Sequence, residues 1–171
     1  NQDTYTGSEK KDRELLRELC EKGLNRRYKK VDTRIKARLN KELEIISEKG
    51  FVAYFLINWD IINYAQKQNF FYVGRGSGAN SMVAYVLYIT DVDPIDLDLY
   101  FERFINLYRK NPPDFDLDFS WKDRDDITRY IFKRFPHTAL LGTYITFQYK
   151  SVVRELGKVF GLPPQEIEQL D

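Results

Sequence analysis

The run Asp114-Phe115-Asp116-Leu117-Asp118-Phe119 constrains this chain more than any other stretch. Acidic and apolar residues alternate without a break, and a period of two marks a half-buried β-strand. Side chains two positions apart share a face of a strand. Asp116 and Asp118 therefore project together, with Asp114 on the same side, while Phe115, Leu117 and Phe119 turn towards a core. Carboxylates held side by side repel and raise one another's proton affinity. Two readings fit. A cation neutralises them, Mg²⁺ being the hard ion that takes carboxylate oxygens and keeps positions for water and phosphates, or their charge protects an exposed strand edge.

Phe70 to Val73, aromatic and β-branched, is a second strand candidate. Gly74-Arg75-Gly76-Ser77-Gly78-Ala79-Asn80-Ser81 follows it as a glycine-rich turn, and Ala79 to Tyr88 is apolar enough for a buried helix. In such a strand–turn–helix, glycines let a phosphate approach the backbone, and free N–H groups at the helix start face the anion. Ser77 offers a hydroxyl and Arg75 a charged fork. The loop is not a Walker A sequence, which ends in Gly-Lys-Ser/Thr, and its glycines lack the dinucleotide-binding spacing. A tight turn before a capped helix is the plainer alternative. Beside the Asp116/Asp118 pair, the loop completes a layout for nucleotidyl transfer: one element grips a triphosphate, the other holds bridging metal.

The other acidic pairs read as structural. Asp91 and Asp93 precede Pro94 as turn residues, and Asp96 and Asp98 open a helix over Leu97 to Phe104, where acidic residues offset the dipole. Between Lys22 and Lys41 stand nine basic residues and one acidic one, Asp32. A solvated helix face accounts for that run, and a basic lobe beside an acidic centre also suits a protein that holds phosphates and metal. His137, after Pro136, reads as a surface residue.

The remainder is helical. Leu15, Leu16, Leu19, Cys20 and Leu24 recur at three- and four-residue steps, and Val31, Ile35, Leu39, Leu43 and Ile46 do so again before Gly50. Further helices are expected over Tyr54 to Gln68, from Asp123 as cap to about Phe135, and over Thr146 to Phe160, closed by Gly161 and Pro163-Pro164. Residues 1–8 are expected to fray, Ala139 to Leu141 to form a strand, and Asn111-Pro112-Pro113 to end the region before the acidic run. The single cysteine, Cys20, rules out an intrachain disulfide and fits a reducing, cytoplasmic setting. No apolar run is long enough to cross a bilayer. A chain opening on Asn1 and closing after a proline pair is expected to be part of something larger.

Several blocks, in order, resemble the bacterial DNA polymerase III alpha family: Val73 to Gly78, Ser81 to Tyr85, Ile89 to Pro94, Phe101 to Phe104 and Pro113 to Phe119. Leu19 to Leu24 and Glu42 to Leu56 are similar to the lead-in to that family's palm, and Val153 to Leu162 to its first thumb helix. The resemblance implies an α+β fold with a nucleotidyltransferase-type palm, as in X-family repair polymerases, built on a mixed sheet with flanking helices. It divides the chain into a helical lead-in (1–50), a palm (51–147) and the start of a thumb (148–171). It implies primer extension by DNA-directed, two-metal nucleotidyl transfer. Asp116 and Asp118 would be the catalytic Mg²⁺ ligands, and Arg75, Gly76 and Ser77 would meet the incoming dNTP. The third carboxylate lies outside this chain, as does the family's N-terminal phosphoesterase-like domain, so these residues alone are expected to be inactive. Primer–template DNA, a sliding clamp and other replisome subunits are the implied partners, with no membrane. Two departures stand out: Asn80 where the family more often has glycine, and Thr146 to Lys150 where it has a Phe-Gly-Thr block. A small stand-alone nucleotidyltransferase shares the loop and the carboxylate pair but has no reason to share the outer blocks. A non-catalytic interaction domain predicts no metal dependence at Asp116 and Asp118.

Overall fold

A computed structural model describes residues 4–106, 108, 113–142, 144, 146 and 148–170. Asn111 and Pro112, expected to close a segment, lie outside the described residues, as do Asn1 to Asp3 and Phe147. The chain forms two compact units, residues 1–138 and 139–171.

In the first unit, α1 (Glu9–Arg27) buries Leu16, Cys20 and Leu24, and α2 (Thr33–Glu48) buries Ile35, Leu39, Leu43 and Ile46. Both stripes follow the apolar period of the sequence. Asp32 caps α2 by accepting from the Ile35 amide at 2.9 Å, and Gly50 closes it at φ +71°. Gly23 is required for a different reason. A Cβ there would stand 2.1 Å from the Val86 carbonyl oxygen, so only glycine lets α1 approach the segment behind it. Residues 4–8 are not frayed. The buried Asp12 carboxylate accepts from the amides of Tyr5 (2.6 Å) and Thr6 (2.7 Å), tying the N-terminal segment to α1.

Helix α3 (Val52–Lys67) is buried on two sides. Phe55, Leu56 and Ile62 join the main core, while Ile61 and Ala65 pack with Ile127 and Phe135 around α5 (Arg124–Arg134). Asp123 stands at the N-cap of α5 but makes no side-chain cap bond, contrary to expectation.

Strands β1 (Tyr72–Arg75) and β2 (Asp116–Phe119) pair antiparallel. Among the described residues they form a two-stranded sheet, not the mixed sheet the resemblance implied. The fold class is α+β. Tyr72 faces Phe119 and Gly74 faces Leu117 across the ladder, so their shared face joins the core. Phe115 anchors the approach to β2 among Tyr54, Phe55 and Phe104, with ring centroids 5.0–5.5 Å away.

Between the strands the chain departs from the expected helices. Gly76–Asn80 is a 3-10 turn, and α4 (Met82–Val86) is only five residues long. It stops because Tyr88 takes φ +63°. Leu97 to Phe104 forms turns and a 3-10 helix over Phe101–Arg103 instead of an α-helix. Asp98, at φ +49°, therefore offsets no helix dipole and pairs with Arg34 at 2.8 Å.

In the second unit, α6 (Tyr149–Val159) and α7 (Pro164–Gln169) meet where Gly157 receives Ile167. Pro164 sits in the first turn of α7, a helix the proline pair had concealed. Ala139 to Leu141, read as a strand, has no regular structure.

Candidate functional site

The β1–β2 register decides the site. Arg75 stands opposite Asp116, and Val73 opposite Asp118. Cross-strand partners and residues two apart share a face, so Arg75, Asp116 and Asp118 crowd together on the side away from the core. The Arg75 Nε donates to Asp118 at 2.5 Å, and its Nη1 donates to Asp116 at 3.5 Å. These two carboxylates hold the guanidinium more firmly protonated than usual, the Asp118 hydrogen bond first. Asp114 is exposed and precedes β2, outside the paired strand.

Gly76 takes φ +78°, and a Cβ there would lie 2.6 Å from Asp116 Oδ2. Glycine thus lets the turn run close past the carboxylate pair. Gly78 packs on Phe115, whose ring would be 2.7 Å from a Cβ. Ser77, between them, is exposed, and no side chain caps the start of the turn.

The amides at the start of α4 are not free for an anion, contrary to the sequence reading. Glu42, fully buried on α2, accepts from the Met82 amide (3.0 Å) and the Val83 amide (3.1 Å). Ser81 Oγ caps the Ala84 amide at 3.1 Å. A carboxylate of the protein itself occupies this helix terminus. The Gly76–Asn80 turn lies ahead of it, with Gly76 and Ser77 exposed.

Glu42 was not singled out from the sequence, where it only opens the Glu42 to Leu56 block. The signal was present, since Ile35, Leu39, Glu42 and Ile46 fall on one helical face. Burial pushes its pKa above the ordinary carboxylate range, against the lowering effect of the Met82 amide, Arg38 and the Val83 amide. Asp60 on α3 is a second buried carboxylate missed in the same way. It accepts from Tyr5 Oη (2.8 Å), Tyr130 Oη (2.6 Å) and Arg134 Nε (2.9 Å).

Four members of the basic run, Arg27, Arg34, Arg38 and Lys41, are held by other parts of the protein. Arg27 stacks on Tyr85 and Tyr88 and pairs with Asp91, Arg34 pairs with Asp98, and Lys41 with Glu102. Asp91 and Asp93 are structural as read, since Asp93 accepts from Tyr28 Oη (2.7 Å) and the Ile95 amide (2.8 Å). His137 is exposed in a turn. Buried Cys20 has its thiol pKa raised by desolvation, which makes it unreactive.

Among the described residues, no group of three or more His, Cys, Asp or Glu side chains converges as a metal cage. The Asp116/Asp118 pair has the chemistry of a partial site. Two carboxylates on one face suit a hard cation that completes its shell with water and phosphate oxygens, and Arg75 supplies the positive charge there. No helix among the described residues is long and apolar enough to cross a membrane.

The family model described as bacterial DNA polymerase III alpha NTPase domain matches residues 14–171. The error-prone DNA polymerase of Symbiobacterium thermophilum is 43% identical over 157 residues, covering 91% of this chain and 14% of that protein. The DNA polymerase III subunit alpha of Bacillus subtilis is 43% identical over 160 residues, covering 92% of this chain and 14% of that protein. The error-prone DNA polymerase of Pseudomonas paraeruginosa is 39% identical over 158 residues, 91% of this chain and 15% of its own length. The chain thus spans a small part of each relative. With the sheet, the Gly76–Asn80 turn and the paired aspartates all inside the matched span, the chain belongs to the bacterial DNA polymerase III alpha family.

Proposed function

We propose that this chain is the palm portion of a template-directed DNA polymerase that transfers nucleotidyl groups from dNTP to a primer 3′ end. The observation that carries this reading is the shared face of Asp116 and Asp118, with the Gly76–Asn80 turn running beside it. In this reading residues 51–147 form a nucleotidyltransferase-type palm, residues 1–50 lead into it, and residues 148–171 begin a thumb. Asp116 and Asp118 would hold Mg²⁺, with a third carboxylate supplied from outside the chain. When bound, paired metals lower the pKa of an attacking hydroxyl and stabilise the leaving oxygen.

The chain's own residues do the rest. Ser77 donates its hydroxyl to the triphosphate, and the positive φ of Gly76 lets phosphate oxygens approach the turn's amides. Arg75, largely solvent-exposed and paired with both carboxylates, lies where it can also meet the arriving phosphates. Primer–template DNA, a sliding clamp and other replisome subunits are the partners of this reading, in the cytoplasm.

The test is Asp116→Ala in the polymerase that contains this chain. Primer extension should fall to background while primer–template affinity, measured by fluorescence anisotropy, stays nearly unchanged. An extension rate close to that of the parent would overturn the assignment.

A further inference from the structure

A chain of hydrogen bonds links the middle of α2 to Ser77. Glu42 accepts four bonds: Arg38 Nε at 2.6 Å, Ser81 Oγ at 2.9 Å, and the Met82 and Val83 amides. Those bonds use the acceptor sites a carboxylate offers. Arg38 Nη2 extends the network by donating to the carbonyls of Asn80 (3.0 Å) and Leu99 (2.9 Å). Asn80 then turns back, its Nδ2 donating to the Ser77 carbonyl at 2.9 Å.

Stability alone is a poor reason for this arrangement. A buried ion pair is often no better than apolar residues of the same volume, because desolvation offsets the attraction. Asn80 adds to the cost. It is 7% exposed, and its Oδ1 has no hydrogen-bond partner among the described residues. An apolar side chain would avoid that loss. What the network supplies is geometry, since a satisfied buried polar network admits few alternative arrangements.

We propose that Asn80, backed by Arg38 and Glu42, is a positioning residue that sets Ser77 for the triphosphate of the incoming nucleotide. This rests on the reading of Ser77 as a nucleotide contact. Asn80 does not touch the nucleotide. It fixes the Ser77 carbonyl from behind, while Gly78 on Phe115 fixes the turn from below and β1 holds its start. The exposed hydroxyl of Ser77 and the leading amides of the turn are thereby held in one orientation before a ligand arrives. Preorganisation of this kind lowers the ordering cost of binding.

The experiment is a double-mutant cycle in the polymerase that contains this chain, following steady-state primer extension against dNTP concentration. Asn80→Ala should raise the nucleotide KM by roughly three- to tenfold, as expected for one hydrogen bond lost, with kcat within about twofold on the same grounds. Glu42→Gln should shift KM in the same direction. In a Ser77→Ala background, Asn80→Ala should have a smaller further effect, because the part exerted through the Ser77 hydroxyl is already gone. A merely structural Asn80 would lower stability and active fraction but leave KM alone. If Ser77→Ala raises KM and Asn80→Ala does not, or if the two effects add in full, the positioning role is wrong. If Ser77→Ala itself leaves KM unchanged, the nucleotide-contact reading fails and this inference fails with it. Should Glu42→Gln not fold, Asn80→Ala, which removes one interaction, still decides the matter.

Discussion

Two groups of carboxylates in this molecule are treated in opposite ways. Glu42 is fully buried, and the protein provides four donors to it from α2, Ser81 and the start of α4. Asp116 and Asp118 are about half exposed, and one guanidinium serves both. The buried group has no acceptor capacity to spare, so it can only be structural or positional. The exposed pair sets two carboxylates against one guanidinium, with about half of each side chain open to solvent. Unfilled coordination, not acidity as such, separates a candidate site from a structural charge.

The comparison predicts different costs. Glu42→Ala should be the most damaging to the fold, by about 3–5 kcal/mol, because it leaves Arg38 and two buried amides unmatched. Urea denaturation would show it, and a loss below about 1 kcal/mol, the scale of an exposed pair, would mean that the network is dispensable. Arg75→Gln should leave the unfolding midpoint almost unchanged. It should instead strengthen Mn²⁺ binding roughly fivefold, since a competing unit charge beside the carboxylates is gone. Titration followed by electron paramagnetic resonance measures this directly, and weaker binding would show that Arg75 organises the pair for metal and does not compete with it. The smallest effect belongs to Lys41→Met. Lys41 and Glu102 join α2 to the same neighbouring segment as Arg38 does, at 2.6 Å, but both are about half exposed. Solvent screening limits the loss to about 0.2–1 kcal/mol. A cost equal to that of Glu42→Ala would erase the distinction between the two kinds of site.

Much of the frame was legible in advance because it depends on local pattern. The stripes of α1 and α2, the Gly50 stop and the Asp116–Phe119 strand follow from spacing and turn chemistry that act over a few residues. Segments between the strands were misread for a shared reason. Residues 79–88 and 97–104 are apolar enough for helices, yet the chain must turn repeatedly there, at Tyr88 and again at Asp98, to pack against α1 and α2. Tertiary contacts override local propensity in such stretches.

The sequence by itself determined that Asp116 and Asp118 would share a face, because a strand has a period of two whatever surrounds it. It also determined that a glycine-rich turn would follow β1. Only the tertiary structure decided which charges were spoken for. Arg27, Arg34, Arg38 and Lys41 look like one basic face in the sequence, but each is held by the segment from Asn80 to Glu102. The start of α4 looks like an anion site, but Glu42 arrives from 40 residues away to fill it. Charge neutralisation depends on distance in space, and sequence separation carries almost no information about that distance once helices pack.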